Sequence, residues 1–251
     1  MGNTGMGDDG LATGAAVRKP VPLAGLPPWN PRDVANLAAW FDATDLCSIT
    51  HVAGSVSQWN DKSGNGYHVS QTVGARQPLL NTLNGRSALM FTRGNNQHLD
   101  GVSWVMQSPT VVFVVYQFEA PLVNDYQRVF QSISKDNIRY QKRSGSNGHG
   151  RRMHENVAVD SNPSAMTTEP EMATLVYNAA SSVMRINGVE IVTGDVGTKT
   201  PSSNGLSIGA QTDGSIAFGG TVGELIWYDG LLDTGEIADV ETYLKDKWGF
   251  P

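Results

Sequence analysis

Residues 56–67 read Val-Ser-Gln-Trp-Asn-Asp-Lys-Ser-Gly-Asn-Gly-Tyr, and this stretch decides the fold. Val56, Gln58 and Asn60 alternate with Ser57, Trp59 and Asp61, a period of two that predicts a strand with Trp59 on one face of a sheet. Asp61, Ser63, Gly64, Asn65 and Gly66 then make a turn dense in side-chain oxygens and in residues that accept positive φ. Such a turn should be tight and internally hydrogen-bonded.

Working outward, the strongest strand is Thr110 to Phe118, Thr-Val-Val-Phe-Val-Val-Tyr-Gln-Phe, whose apolar residues fall on both faces. It should be a central strand covered on both sides. Asn187-Gly188 lies between alternating segments and predicts a two-residue hairpin. Ala38–Ala43, Ser48–Val52, Ala88–Thr92, Gln97–Leu99, Gln127–Ser134, Asn137–Arg143, Met153–Val159, Glu171–Asn178, Gly205–Ala210 and Thr221–Asp229 add further short strands. Asp33 to Ala39 reads as a short helical turn started by Pro31. One helix closes the chain: Asp233 and Glu236 form a capping box, Ile237, Val240, Leu244 and Trp248 make one stripe, and Gly249 ends it.

Before the stretch stand Trp40-Phe41-Asp42-Ala43, and after it Asn84-Gly85-Arg86 and Ala88-Leu89-Met90-Phe91. The C-terminus adds Gly223-Glu224-Leu225-Ile226-Trp227-Tyr228-Asp229, then Tyr243-Leu244 and Lys247-Trp248-Gly249. Together these residues resemble the laminin-G-like jelly rolls of the concanavalin A-like lectin and glucanase superfamily, over roughly Leu37 to Phe250. The resemblance implies an all-β, two-sheet antiparallel jelly-roll sandwich over residues 32–251, with one C-terminal helix. It says less about function, because that fold hosts lectins, hydrolases and structural modules alike.

Residues 1–31 are different material, an extended Gly- and Pro-rich arm. Gly2, Gly5, Gly7, Gly10 and Gly14 precede Pro20, Pro22, Pro27, Pro28 and Pro31, and so polar a segment cannot offset its own ordering entropy. It should dock, on its own domain or, as the preferred reading, in a larger assembly. Leu11, Val17, Val21, Leu23, Leu26 and Trp29 are the apolar points that would meet the partner.

The net charge of −6 argues against nucleic-acid or anionic-membrane binding, and no stretch nears the ~20 apolar residues of a membrane span. The single cysteine, Cys47, excludes an internal disulfide and reads as a small buried hydrophobe. The first residues lack the pattern of a signal peptide.

Hydrolysis of glycosidic bonds needs two flanking carboxylates, and the superfamily's Glu-x-Asp-x-x-Glu type of motif is missing; Glu224 stands alone on its strand. No Gly-x-Ser-x-Gly elbow occurs, and the five histidines are scattered, so no catalytic residues and no metal site are assigned. Calcium is the one cofactor with candidates: Asp61, Ser63 and Asn65 in the turn, with Asp42 near by. A hydrogen-bonded, metal-free turn is the expectation. Lys142, Arg143, Arg151 and Arg152 gather around a glycine-rich tip, which reads first as a solvated hairpin tip and, as the sharper alternative, as a docking site for an acidic subunit or an anionic glycan. Tyr126, Tyr140 and Trp104 are the candidate platforms for sugar stacking, although such aromatics more often belong to a core or its rim.

Laminin-G-like modules are frequent in bacteriophage structural proteins. The reading is therefore a non-enzymatic virion component, a capsid decoration or tail-associated module assembled in the host cytoplasm, bound to other virion subunits and copies of itself, and open to host-glycan contact. The alternative is a glycan-binding adhesin of a bacterial surface.

Overall fold

A computed structural model describes residues 29–101, 104–133, 138–143, 150–161, 166–198 and 205–251, with the backbone of residues 202 and 203. In chain order its first strands are β1 (Leu37–Asp42), β2 (Ile49–Val52), β3 (Ser55–Trp59), β4 (Val69–Ser70), β5 (Leu79–Leu83), β6 (Arg86–Phe91) and β7 (Leu99–Gly101). Next come β8 (Val105–Met106), β9 (Thr110–Phe118), β10 (Gln127–Ser132), β11 (Arg139–Arg143), β12 (Gly150–His154) and β13 (Ala158–Asp160). The last are β14 (Glu171–Tyr177), β15 (Ser182–Ile186), β16 (Val189–Gly194), β17 (Ser202–Ser203), β18 (Leu206–Ile208) and β19 (Gly220–Asp229), before helix α1 (Thr234–Trp248).

Pairing is antiparallel throughout and builds two layers. The back sheet runs β16-β15-β14-β9-β19, and the far edge of β19 is shared by β1 and by β6, which pairs β5. The front sheet runs β2-β3-β4-β7-β18-β10-β11-β12-β13. A contact between Ser55 and Leu79 joins the layers at one edge. This is the jelly-roll sandwich the sequence implied.

The core lies between the sheets, with Phe41, Trp59, Phe91, Phe130, Tyr140 and Trp227 among its fully or almost fully buried rings. A second apolar cluster covers the outside of the back sheet, where Val240, Leu244 and Trp248 of α1 pack on Phe113, Val115, Ile226 and Tyr228. That explains why β9 is apolar on both faces. The capping box forms as expected: Asp233 Oδ1 accepts from the Gly235 and Glu236 amides at 2.7 and 2.8 Å, and Glu236 accepts from the Asp233 amide at 2.8 Å. Asn187 and Gly188 take φ of 51° and 81°, making the predicted hairpin between β15 and β16.

Four expectations need correction. Strict alternation fails in β3, where Val56 and Trp59 both reach the core. Ser57 is the extra residue of a bulge, since Gln58 pairs Thr50 while Val56 pairs His51. Met153 to Val159 is two strands rather than one, because the Asn156 and Val157 amides turn aside to the Val196 carbonyl at 2.9 and 2.8 Å. The early helical turn is a 3₁₀ turn at Pro31–Asp33, capped by Asn30, and ends before β1. Cys47 is exposed, because it sits in a 3₁₀ turn at Leu46–Ser48 that faces solvent.

Candidate functional site

The two sheets treat their outer faces differently. On the front sheet, inward residues such as Trp59, Val69, Leu99, Ile208, Phe130, Tyr140, Met153 and Val159 leave their neighbours pointing out. Following the register across the strands, those neighbours form one polar row: Thr50, Gln58, Ser70, Asp100, Ser207, Gln131, Arg139 and His154. A second row holds Arg128, Gln141, Arg152 and Asp160. Among the described residues no helix lies over this face.

Arg128 organises the middle of the two rows. Its guanidinium donates to the side-chain oxygens of Gln141 at 3.2 Å, of Gln211 at 2.7 Å and of Gln131. An arginine has donors only, so each glutamine must turn its oxygen toward it and its NH₂ group away. For Gln131 that group, Nε2, is buried and has no partner.

Two strands along the row, Asp100 presents the matching acceptor. Its Oδ1 is also buried and without a partner. His98 stands on the other oxygen's side: its Nε2 is 3.5 Å from Asp100 Oδ2 and 3.2 Å from the Gln71 amide nitrogen, and its Nδ1 donates to the Asn96 carbonyl at 2.8 Å. Burial pushes the Asp100 carboxyl up, against the opposing pull of Ser207 and His98. Ser207 stands between Asp100 and Gln131, and its hydroxyl is turned aside to the Ala210 carbonyl at 2.9 Å. Ser207 is fully buried and Gln131 nearly so, and this acceptor and donor therefore lie about 10 Å apart, two strand spacings, beneath the surface on either side of a small serine.

One hydroxyl bridges partners about 6 Å apart at most, and the two groups therefore call for separate hydroxyls of one ligand, as a sugar ring carries.

The residues singled out from sequence fall in several places. The four cations around the tip belong to β11 and β12 and do not form one patch. Lys142 and Arg151 point inward: Lys142 donates to the Val123 carbonyl at 2.6 Å and to that of Asp125, and Arg151 to the Glu171 carboxylate. Burial lowers the Lys142 amine. Arg143 and Arg152 point outward and share Asp160, whose carboxyl burial would raise but the two arginines hold down. Tyr140 and Trp104 are buried; Tyr126 remains partly exposed, with Arg152 5.8 Å from its ring.

In the turn, the Asp61 oxygens accept from the Trp40 and Ser63 amides at 2.9 and 2.8 Å, and from the Ser63 hydroxyl and Tyr67 amide at 2.7 and 3.1 Å. Asn65 donates to the Leu37 and Ala38 carbonyls at 3.0 and 2.9 Å. The turn's oxygens thus bind protein donors and clamp β1. Asp42 pairs with Lys62 at 2.9 Å and Lys247 at 2.7 Å; burial would raise its carboxyl, but Lys247 and then Thr44 and Lys62 hold it below the usual range. Among the described residues no group of three or more His, Cys, Asp or Glu side chains is placed to hold a metal ion.

Glu224 lies fully buried beneath α1 and cannot reach a glycosidic bond. Of the arm's apolar points, Leu11, Val17, Val21, Leu23 and Leu26 lie outside the described residues. Trp29 packs on Tyr243, with ring centroids 5.3 Å apart.

Comparison with solved structures bears on the fold. Domain 4 of AbnA, a GH43 extracellular arabinanase from Geobacillus stearothermophilus solved in complex with arabinotriose, superposes with a TM-score of 0.58 at 15% identity, covering 82% of this chain and 98% of that one. The binding domain of Paraclostridial Mosquitocidal Protein 1 gives 0.58 at 11% identity, and the botulinum neurotoxin type G receptor-binding domain 0.57 at 13%. These cover 88% and 86% of this chain, which spans only 56% and 54% of theirs. The chain shares their β-sandwich fold. That fold is consistent with the concanavalin A-like resemblance. No protein-family model matches the sequence, and no curated protein does.

Proposed function

We propose that this chain is a non-enzymatic binding module that receives a glycan on the outer face of its front sheet. The observation that carries the reading is the pair of buried groups flanking Ser207, Asp100 Oδ1 and Gln131 Nε2, an acceptor and a donor that have no partner. Leaving such groups unmatched costs free energy, about 1–3 kcal/mol each, and a ligand whose hydroxyls reach both recovers it. Two of the structures that share the fold carry binding domains in their names, and a third was solved with an arabinotriose; this supports the reading by analogy.

The finer assignment is a virion component of a bacteriophage, a capsid decoration or tail-associated module, assembled in the host cytoplasm. Its support is the resemblance to laminin-G-like modules of phage structural proteins, together with an arm whose composition suits docking on other subunits. In that setting the front sheet is the face turned to a host-surface glycan.

The test pairs binding with turnover. The full chain is titrated with arabinans, galactans, β-glucans and bacterial capsule polysaccharides, and reducing ends are measured in the same samples. Binding to at least one glycan without release of reducing ends is expected. Turnover of any of them, or failure to bind any, overturns the reading.

A further inference from the structure

A recess on the helix side of the molecule has no part in glycan binding at the front face. It has a volume of about 910 Å³, with walls made by Trp29, Trp40 and Tyr243 and Asp239 and Asp246 of α1 at its rim.

The charges around it do not cancel. Lys62 reaches the recess but is held by Asp42 and Asp45 at 2.9 Å each, and Lys247 by Asp42 and Glu224 at 2.7 and 2.8 Å. Asp239 and Asp246 are exposed and make no ion pair among the described residues. Arg32 opposes them, its guanidinium bound to the Lys62 carbonyl. The opening is therefore acidic and its walls aromatic.

The described chain begins at Trp29, which is itself one of the walls. The residues leading into it, 18–28, read Arg-Lys-Pro-Val-Pro-Leu-Ala-Gly-Leu-Pro-Pro. Two adjacent cations complement the carboxylate rim. The run that follows is apolar and proline-rich, the chemistry that aromatic-lined grooves take up at low entropic cost. Fully extended, these residues reach up to ~36 Å, ample to cross the recess.

We propose that residues 18–28 of the same chain seat in this recess, with Leu23 and Leu26 among the rings and Arg18 and Lys19 against Asp239 and Asp246. The root of the arm is then part of the domain. Only the residues before it, Leu11 and Val17 among them, reach a neighbouring subunit.

Spin labels test this in the full chain. Cys47→Ser removes the native thiol, and Val21→Cys and Ala238→Cys carry the labels; Ala238 is exposed on α1. One narrow distance distribution is expected, unchanged when labelled protein is diluted with unlabelled protein. It should broaden when Asp239→Lys and Asp246→Lys are added. A broad distribution before those changes overturns the proposal. So does a narrow one that fades on dilution, which would make the occupant a second copy's arm, or one that ignores the charge reversal.

Discussion

Glu224 has no solvent exposure, yet four donors converge on its carboxylate. The Trp40 and Trp248 indoles each approach to 2.8 Å, the Tyr243 hydroxyl to 2.9 Å and the Lys247 amine to 2.8 Å. Burial raises its carboxyl, and Lys247 works against that. The residue ties β1, β19 and α1 together. Glu224→Leu would strand all four donors, at a cost of about 3–5 kcal/mol. Glu224→Gln, which keeps an acceptor, should lose less. Thermal unfolding checks both, and leucine and glutamine variants that melt with the parent would show the network to be idle. The sequence displays Glu224 as a lone carboxylate on an apolar strand but not its partners, which lie up to 184 residues away. The same limit hid the two unpartnered groups: Asp100, Ser207 and Gln131 meet only through strand pairing. It also hid the inward turn of Arg151, whose partner Glu171 is 20 residues on.

Elements were legible where local pattern and burial agree. Strand β9 and helix α1 carry their own periodicity and caps, and both appear with the expected bounds or nearly so. The two- and three-residue strands of the front sheet, such as β4, β7 and β18, are too short to show a period. They exist because neighbouring backbones complete their hydrogen bonds. Where α1 meets β19, Gly223 makes the contact possible: a Cβ there would lie 2.5 Å from the Trp248 ring. Gly223→Ala should push the helix off the sheet and cost about 1–3 kcal/mol. Gly74→Ala, where a Cβ meets nothing within 4 Å, is the control. Urea unfolding midpoints should fall for the first and hold for the second; equal midpoints would mean that Trp248 has room to move.

At the scale of the whole molecule, the asymmetry between the sheets is the main fact. The back sheet hides an apolar outer face under α1, while the front sheet carries two polar rows whose centre, at Ser207, Gln131, Arg128 and Gln141, is itself buried. A sandwich needs only one buried layer for stability, and the more exposed members of these rows, among them Thr50, Ser70, Asp100 and Arg152, are the ones open to recognition. The composition, rich in glycine and low in charge, announced an all-β protein but not which face was polar, since that follows from register.

Asp100→Ala and Gln131→Ala measure the claim most directly. Each removes one of the two unpartnered groups, and calorimetric titration with whichever glycan binds the parent gives the affinity. Binding should weaken at least tenfold for each variant, equivalent to about 1.4 kcal/mol, while both remain folded by circular dichroism. Two folded variants that bind as tightly as the parent would contradict the account and move the binding surface elsewhere.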